Sequence, residues 1–276
     1  MKRSLFKRFN LALGALLVGW LVATALLGLI WTPYDPSAVD PLTRYAAPSA
    51  LHWFGTDEFG RDVFSRIMAG AAVSLTVSLG SVLFALVAGT ALGTVSAYAG
   101  GALDRVVMVL TDALMAFPGL LLALGIMTVV GGSKGSVVLA LGLAYTPSVT
   151  RIAHGGTLSL RERDFVLASQ AMGNGGAWTL GRHVLPNIVT PLLVFATSLF
   201  GSALLAESAL SFLGLGVPPP APTWGGMLAD SRDAIDRAIW LALFPGMSIS
   251  LALLGINLLG DALRDLLDPR MKGVTR

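Results

Sequence analysis

Six long apolar runs, separated by short polar segments, limit what this chain can become more than any single residue does: 11–31, 71–97, 106–130, 136–152, 188–213 and 239–259. A membrane-crossing helix needs about 20 mostly apolar residues, and each run is near or above the lower end of that range. Of the residues, 54% are hydrophobic and 13% charged, and the mean hydropathy is +0.74. The charged share is about half that of an ordinary soluble domain. The expected fold class is therefore all-α, a polytopic membrane protein with six transmembrane helices. Too little chain remains outside the spans for a catalytic domain, so the membrane part must carry the function. With no cysteine and only His52, His154 and His183, disulfides, thiolate sites and histidine-based metal sites find no ligand spacing. The first run follows Lys2, Arg3, Lys7 and Arg8, yet it is too long for a signal peptide and lacks a small-residue cleavage pattern. It reads as an uncleaved first span.

An N-in, C-in arrangement places 13 of the 19 basic residues inside: Lys2, Arg3, Lys7, Arg8, Arg105, Arg151, Arg161, Arg163, Arg182, Arg264, Arg270, Lys272 and Arg276. Arg44, Arg61, Arg66, Lys134, Arg232 and Arg237 fall outside, which satisfies the positive-inside bias. The chain then divides into residues 1–70 (tail, first span and outer loop) and a five-helix core, 71–276. The outer loop, 32–70, is proline-rich at its start and turns helical before the second span. A second outer loop, 217–238, opens with Pro218, Pro219 and Pro220. Both are long enough to receive a partner.

The inner loop, 153–187, is the longest polar connection on its side, and such loops in compact domains tend to be functional. Ser159 and Glu162 fit a capping box, which predicts a helix starting there and running to Met172. Gly173 would terminate it in the left-handed conformation. Asn174 and Gly175 restart the chain, and a second helical stretch carries Trp178, Leu180, Arg182 and His183 to Pro186. Two short helices with a tight bend suit docking into a groove on another protein. The same pattern also fits an amphipathic hairpin on lipid headgroups.

Residues 165–187 resemble the EAA loop of bacterial ABC importer permeases: Ala168, Gly173, Leu185 and Pro186 match Glu-Ala-Ala, three residues, Gly, nine residues, x-x-Leu-Pro in register. Leu167 stands where that family usually has Glu, and Ser169 replaces the second Ala. The stretches 52–75 (HWFGTDEFGRDVFSRIMAGAAVSL), 207–228 (ESALSFLGLGVPPPAPTWGGML) and 257–270 (NLLGDALRDLLDPR) resemble the dipeptide, oligopeptide and nickel importer permeases, and within these the shorter C-type subunit. The short N-terminal region and residues 165–169 are somewhat more similar to the nickel-type members. The resemblance implies the ABC type I importer permease fold in a bacterial cytoplasmic (inner) membrane, a B-type permease partner, two ABC ATPase subunits and an extracytoplasmic substrate-binding protein. It implies small peptides, glutathione-like compounds, or nickel and other metal chelates, metallophores among them, as solutes. It assigns the ATPase-coupling contact to Ala168, Ser169, Gln170, Ala171, Met172 and Gly173, with Leu185 and Pro186 closing the motif. The chain has no Walker A pattern, so no cofactor is expected on it and no enzymatic role; ATP and Mg belong to the partner subunits. The lipid bilayer is the other expected partner, and no nucleic acid is.

Asp112 and Glu207 are the carboxylates deepest in the apolar runs. Charges there face the bundle interior or a water-filled path, or are neutralised. They are candidates for the translocation path or, alternatively, for hydrogen bonds that hold packing. Pro118, Pro147, Pro191 and Pro245 fit packing or hinge positions in or near spans. Gly80, Gly89 and Gly93 allow close helix approach. Phe212, Gly214 and Gly216 mark a helix end. Trp224, Gly225 and Gly226, and Trp53, fit either a landing surface for the binding protein or membrane-interface anchoring. A proton-coupled carrier using Asp112 and Glu207 is the rival function; it predicts internal repeats and discontinuous helices, neither of which the sequence displays. An intramembrane enzyme lacks a Ser/His pair or H-E-x-x-H.

Overall fold

Apolar runs become helices here because nothing else satisfies a backbone in lipid. The computed structural model describes residues 2–267; Arg270, Lys272, Arg276 and the end of the 257–270 stretch lie outside the described residues, as do the side chains of Lys2, Arg3, Lys7 and Arg8. Among the described residues there are α-helices and short helical turns but no strand, only an isolated bridge between Thr56 and Asp62. The helices are α1 (Lys2–Ile30), α2 (Val63–Ala99), α3 (Gly101–Met115), α4 (Gly119–Val130), α5 (Lys134–Arg161), α6 (Asp164–Ala171), α7 (Gly176–Thr179), α8 (Leu185–Phe212), α9 (Trp224–Asp230) and α10 (Trp240–Leu267). Five of them are long and apolar enough to cross a membrane, and α3 with α4 makes a sixth crossing if the bent pair is taken as one.

Two expectations change. The third run is not one helix: α3 and α4 meet at 93° across Ala116–Pro118. Pro118 lacks an N–H and disfavours helical geometry in the residue before it, so the chain turns at Phe117 and α4 starts afresh. Pro147, Pro191 and Pro245 sit within continuous helices instead. At 12 residues, α4 is about 18 Å long, short of the roughly 30 Å hydrocarbon core. One discontinuous helix is therefore present, contrary to the expectation from sequence. The second change concerns the inner loop. The fourth run extends into the 28-residue α5, capped at its start by Ser133 and ending at Arg161. The anticipated capping box does not form. Ser159 lies inside α5 with its hydroxyl donated to the Gly156 carbonyl (2.7 Å), the usual fate of a mid-helix serine. The following helix instead begins at Asp164 without a side-chain cap.

Backbones meet directly along the α2–α5 seam. A Cβ on Gly93 would stand 2.3 Å from the Thr150 carbonyl oxygen, and one on Gly89 2.6 Å from Val149. Glycine there lets backbones approach, as small residues do between membrane helices. Val82, Ala85, Val149, Ala153 and Ala203 pack around the seam. Residues 31–62 and 213–239 gather at one end of the bundle, and 161–184 at the other, joined there by Arg161 donating to the Ala97 carbonyl and Gln170 to Tyr98. We call these ends outer and inner, following the charge count.

Candidate functional site

At the inner end, α6 and α7 form the anticipated helical hairpin. Gly173 has φ +82°, the left-handed geometry that a β-carbon makes costly, and the space around it is open. After α7 the chain makes a π-turn over Leu180–Val184 and runs directly into α8, with Pro186 in its first turn, where a missing N–H costs nothing. Ala168, Gln170, Ala171, Met172, Gly173 and Pro186 are exposed, Leu185 is half-buried, and Ser169 is buried. Ser169 faces inward: its hydroxyl pairs with Thr179 (3.1 Å) and accepts from the Asn174 amide (3.2 Å). It ties the two limbs of the hairpin together from beneath. Gln170 reaches back to the Tyr98 hydroxyl (3.0 Å). The outward side carries Phe165, Leu167, Met172 and Trp178, all exposed, with Met172 at 74%. The His183 ring lies between Trp178 and Phe165, 5.3 and 6.2 Å from their centroids. Leu167, standing where Glu is usual, adds to an apolar surface in place of a charge.

The two intramembrane carboxylates separate. Asp112, on α3 one turn before the break, is exposed and ion-paired with Arg151 of α5; a second pair, His154–Asp104 (2.6 Å), fastens the same two helices. Glu207 on α8 is completely buried. Ser211 donates to its Oε1 at 2.9 Å. The structure does not bring the two acids together.

The outer end holds groups to which the sequence alone assigned no role. Asp62 caps α2 through Ser65 N–H (2.8 Å) and pairs with His52 Nδ1 (2.9 Å). Arg66, almost fully buried, reaches Asp57 (3.4 Å), Asp230 (3.9 Å) and the Pro36 carbonyl (3.2 Å), while Arg61 binds Asp57 at 2.6 Å. Burial, together with the nearby negative charges of Asp230 and Asp57, pushes the Glu58 carboxyl above its ordinary value. Burial likewise raises Asp230, partly offset by Arg66. The four-residue spacing of Asp57 and Arg61 was the available signal for one of these pairs; Arg66 takes Asp57 and Asp230. Trp224 is not an exposed landing residue: it is 0% exposed and donates Nε1–H to the Ile67 carbonyl (3.1 Å), pinning α9 to α2. Trp53 is exposed. Among the described residues no cluster of His, Asp or Glu could hold a metal ion.

A bundle of long apolar helices with a short helical hairpin at one end and a folded cap at the other defines a multi-pass membrane protein. Residues 85–273 match the family described as the binding-protein-dependent transport system inner membrane component. The chain is 42% identical to the dipeptide transport system permease protein DppC of Alkalihalophilus pseudofirmus, over 96% of this chain and 88% of that protein. It is 42% identical to a putative peptide transport system permease protein of Brucella suis (98% and 91% covered) and 39% identical to the glutathione transport system permease protein GsiD of Pectobacterium atrosepticum (97% and 89%). Its fold matches a solved chain of the MetNI methionine ABC transporter in inward-facing conformations, with TM-score 0.59 and 17% identity over 76% of this chain and 97% of that one. The protein belongs to the binding-protein-dependent inner membrane permease family, and is a multi-pass protein of the bacterial inner membrane.

Proposed function

We propose that this chain is the C-type permease subunit of an ATP-driven importer of small peptides. It would work with a B-type permease, two ATPase subunits holding ATP and Mg, and an extracytoplasmic binding protein. The similarity along nearly the whole chain to permeases named for dipeptides, peptides and glutathione carries this reading. Those solutes share amide backbones and free carboxylates, which favours small peptides over nickel or other metal chelates. In this reading, with N and C termini inside, the hairpin lies in a cleft of one ATPase. Met172, Ala168, Ala171 and Gly173 make the contact, Gln170 and Ser169 hold the limbs in place, and Leu185 and Pro186 pass movement into α8. Leu167 replaces an ionic contact with an apolar one. Asp112, exposed beside the α3–α4 break, is the better placed of the two acids to meet a solute path formed with the second permease. A proton-coupled carrier gains a discontinuous helix from the fold, but it leaves the hairpin unused and does not accord with family membership.

The decisive experiment purifies the complex and reconstitutes it. ATPase subunits should co-purify, ATP should drive uptake of a labelled dipeptide, and bulky replacements at Ala168 and Gly173 should abolish that uptake. Uptake of a nickel chelate instead of the dipeptide would reassign the solute. Proton-driven uptake by the isolated chain would overturn the proposal.

A further inference from the structure

Five buried side-chain oxygens among the described residues have no hydrogen-bond partner, and four of them belong to two facing helices: Ser74 and Ser78 of α2, and Glu207 Oε2 and Ser208 of α8. Ser74 and Ser208 lie beside the Glu207 carboxyl. Oε1 accepts from Ser211 (2.9 Å), so the two oxygens of this acid are not equivalent. Among the described residues no basic group acts on Glu207, whose neighbours are serine hydroxyls. A carboxylate shut away from water without a counter-charge is disfavoured by several kcal/mol, whereas the neutral acid supplies a donor to hydroxyls that lack a partner. The shell above is closed by the outer loop. A Cβ on Gly225 would stand 2.1 Å from the Ser208 carbonyl oxygen, and one on Gly216 2.0 Å from the Ser211 hydroxyl. Trp224 next to Gly225 is bound to Ile67 of α2.

We infer that Glu207 carries a proton on Oε2 and acts as a neutral clasp, holding α2, α8 and the outer loop as one moving body. Its Oε1 is the carbonyl oxygen that receives Ser211, and its Oε2–H is the one donor turned toward Ser74 and Ser208 between the helices. Glu207 is in this account a positioning residue and not a solute contact. Because α8 runs unbroken from the inner hairpin to the outer loop, the clasp decides whether an event at one end reaches the other. That last step rests on the importer reading above; the protonation state does not.

Two measurements on the assembled complex test this. In the infrared difference spectrum of wild type against Glu207→Gln, a carboxylic-acid C=O band is expected. A carboxylate band in its place overturns the inference whatever the protein transports. Ser211→Ala should move the acid band to higher frequency by freeing its carbonyl, and an unmoved band overturns the assignment of the two oxygens. In ATPase assays, Glu207→Gln, which keeps a donor on the same oxygen, should retain stimulation by the loaded binding protein. Glu207→Ala should lose that stimulation by about tenfold, as expected when a buried hydrogen-bonded group is deleted. Assembly of Glu207→Gln but not of Glu207→Ala is the same result in stronger form. Equal loss in both variants, or loss in neither, overturns the clasp.

Discussion

The two ends of this bundle are built on opposite principles. At the outer end, charged side chains are drawn inward: Arg66 and Asp57 are 6% and 8% exposed, and Arg61, Asp62 and His52 complete a network that fixes residues 31–62 against α2 and α9. At the inner end, the hairpin turns its polar atoms to itself, through Ser169, Thr179 and Asn174, and presents Phe165, Leu167, Met172 and Trp178 outward. The first arrangement is complete within the chain. The second leaves apolar area uncovered, which the importer reading proposed above gives to a partner. A shape that must stay constant is stabilised by internal ion pairs, and a surface that must be met is stabilised only enough to keep its bend.

That contrast breaks most readily at Arg66. Arg66→Ala removes the buried guanidinium that joins Asp57, Asp230 and the Pro36 carbonyl, leaving Asp57 to Arg61 alone, and should lower stability by about 2–3 kcal/mol, read as a large fall in the thermal midpoint of the purified protein. Gly173→Val tests the inner bend: with open space around it, the cost is backbone strain alone, about 1–2 kcal/mol. Gly173→Asn should recover most of that loss in the same thermal scan. Met172→Ser should change stability by no more than about 0.5 kcal/mol while weakening retention of ATPase subunits during purification. If it destabilises the isolated chain as Arg66→Ala does, the hairpin is core and the contrast fails. The smallest effect concerns pH. Glu58 and Asp230 bind protons more tightly folded than unfolded, so the folded chain holds the extra protons in the window above their ordinary values of 4.5 and 3.8. Stability from these two groups is present below that window and falls as pH rises through it. Glu58→Gln should flatten that slope in thermal midpoints measured from acid to neutral pH.

Much of the architecture is legible in the sequence because lipid permits only one backbone solution for a long apolar run. The Gly173 terminator, the helix end at Phe212 and the close approach at Gly89 and Gly93 follow from local chemistry and appear as expected. Continuity was harder to read. Pro118 breaks a run that Pro147, Pro191 and Pro245 do not break in theirs, since the course of the chain past each proline depends on neighbouring helices and not on the residue itself. The Ser159–Glu162 pattern is correct for a cap, but α5 had already claimed Ser159. At the candidate site, spacing located the hairpin and missed which way each side chain faces: Ser169 points in. Asp112 and Glu207 looked equivalent by depth in their runs. Tertiary contacts divide them, one paired with Arg151 on an exposed face and the other enclosed by serines. Trp224 looked like a surface aromatic because its neighbours are glycines and prolines, yet those small residues are what let it sink between α2 and α8.

The contact of Gly93 with the Thr150 carbonyl has a mechanical consequence. Helices separated by side chains can roll or slide as rotamers exchange, but backbones in direct contact have no such bearing surface. Together α2 and α5 form a keel, and the same direct contact at Gly28, whose Cβ would stand 2.3 Å from the Met68 carbonyl oxygen, fastens α1 to it. The α3–α4 elbow, turned by 93°, hangs from that keel.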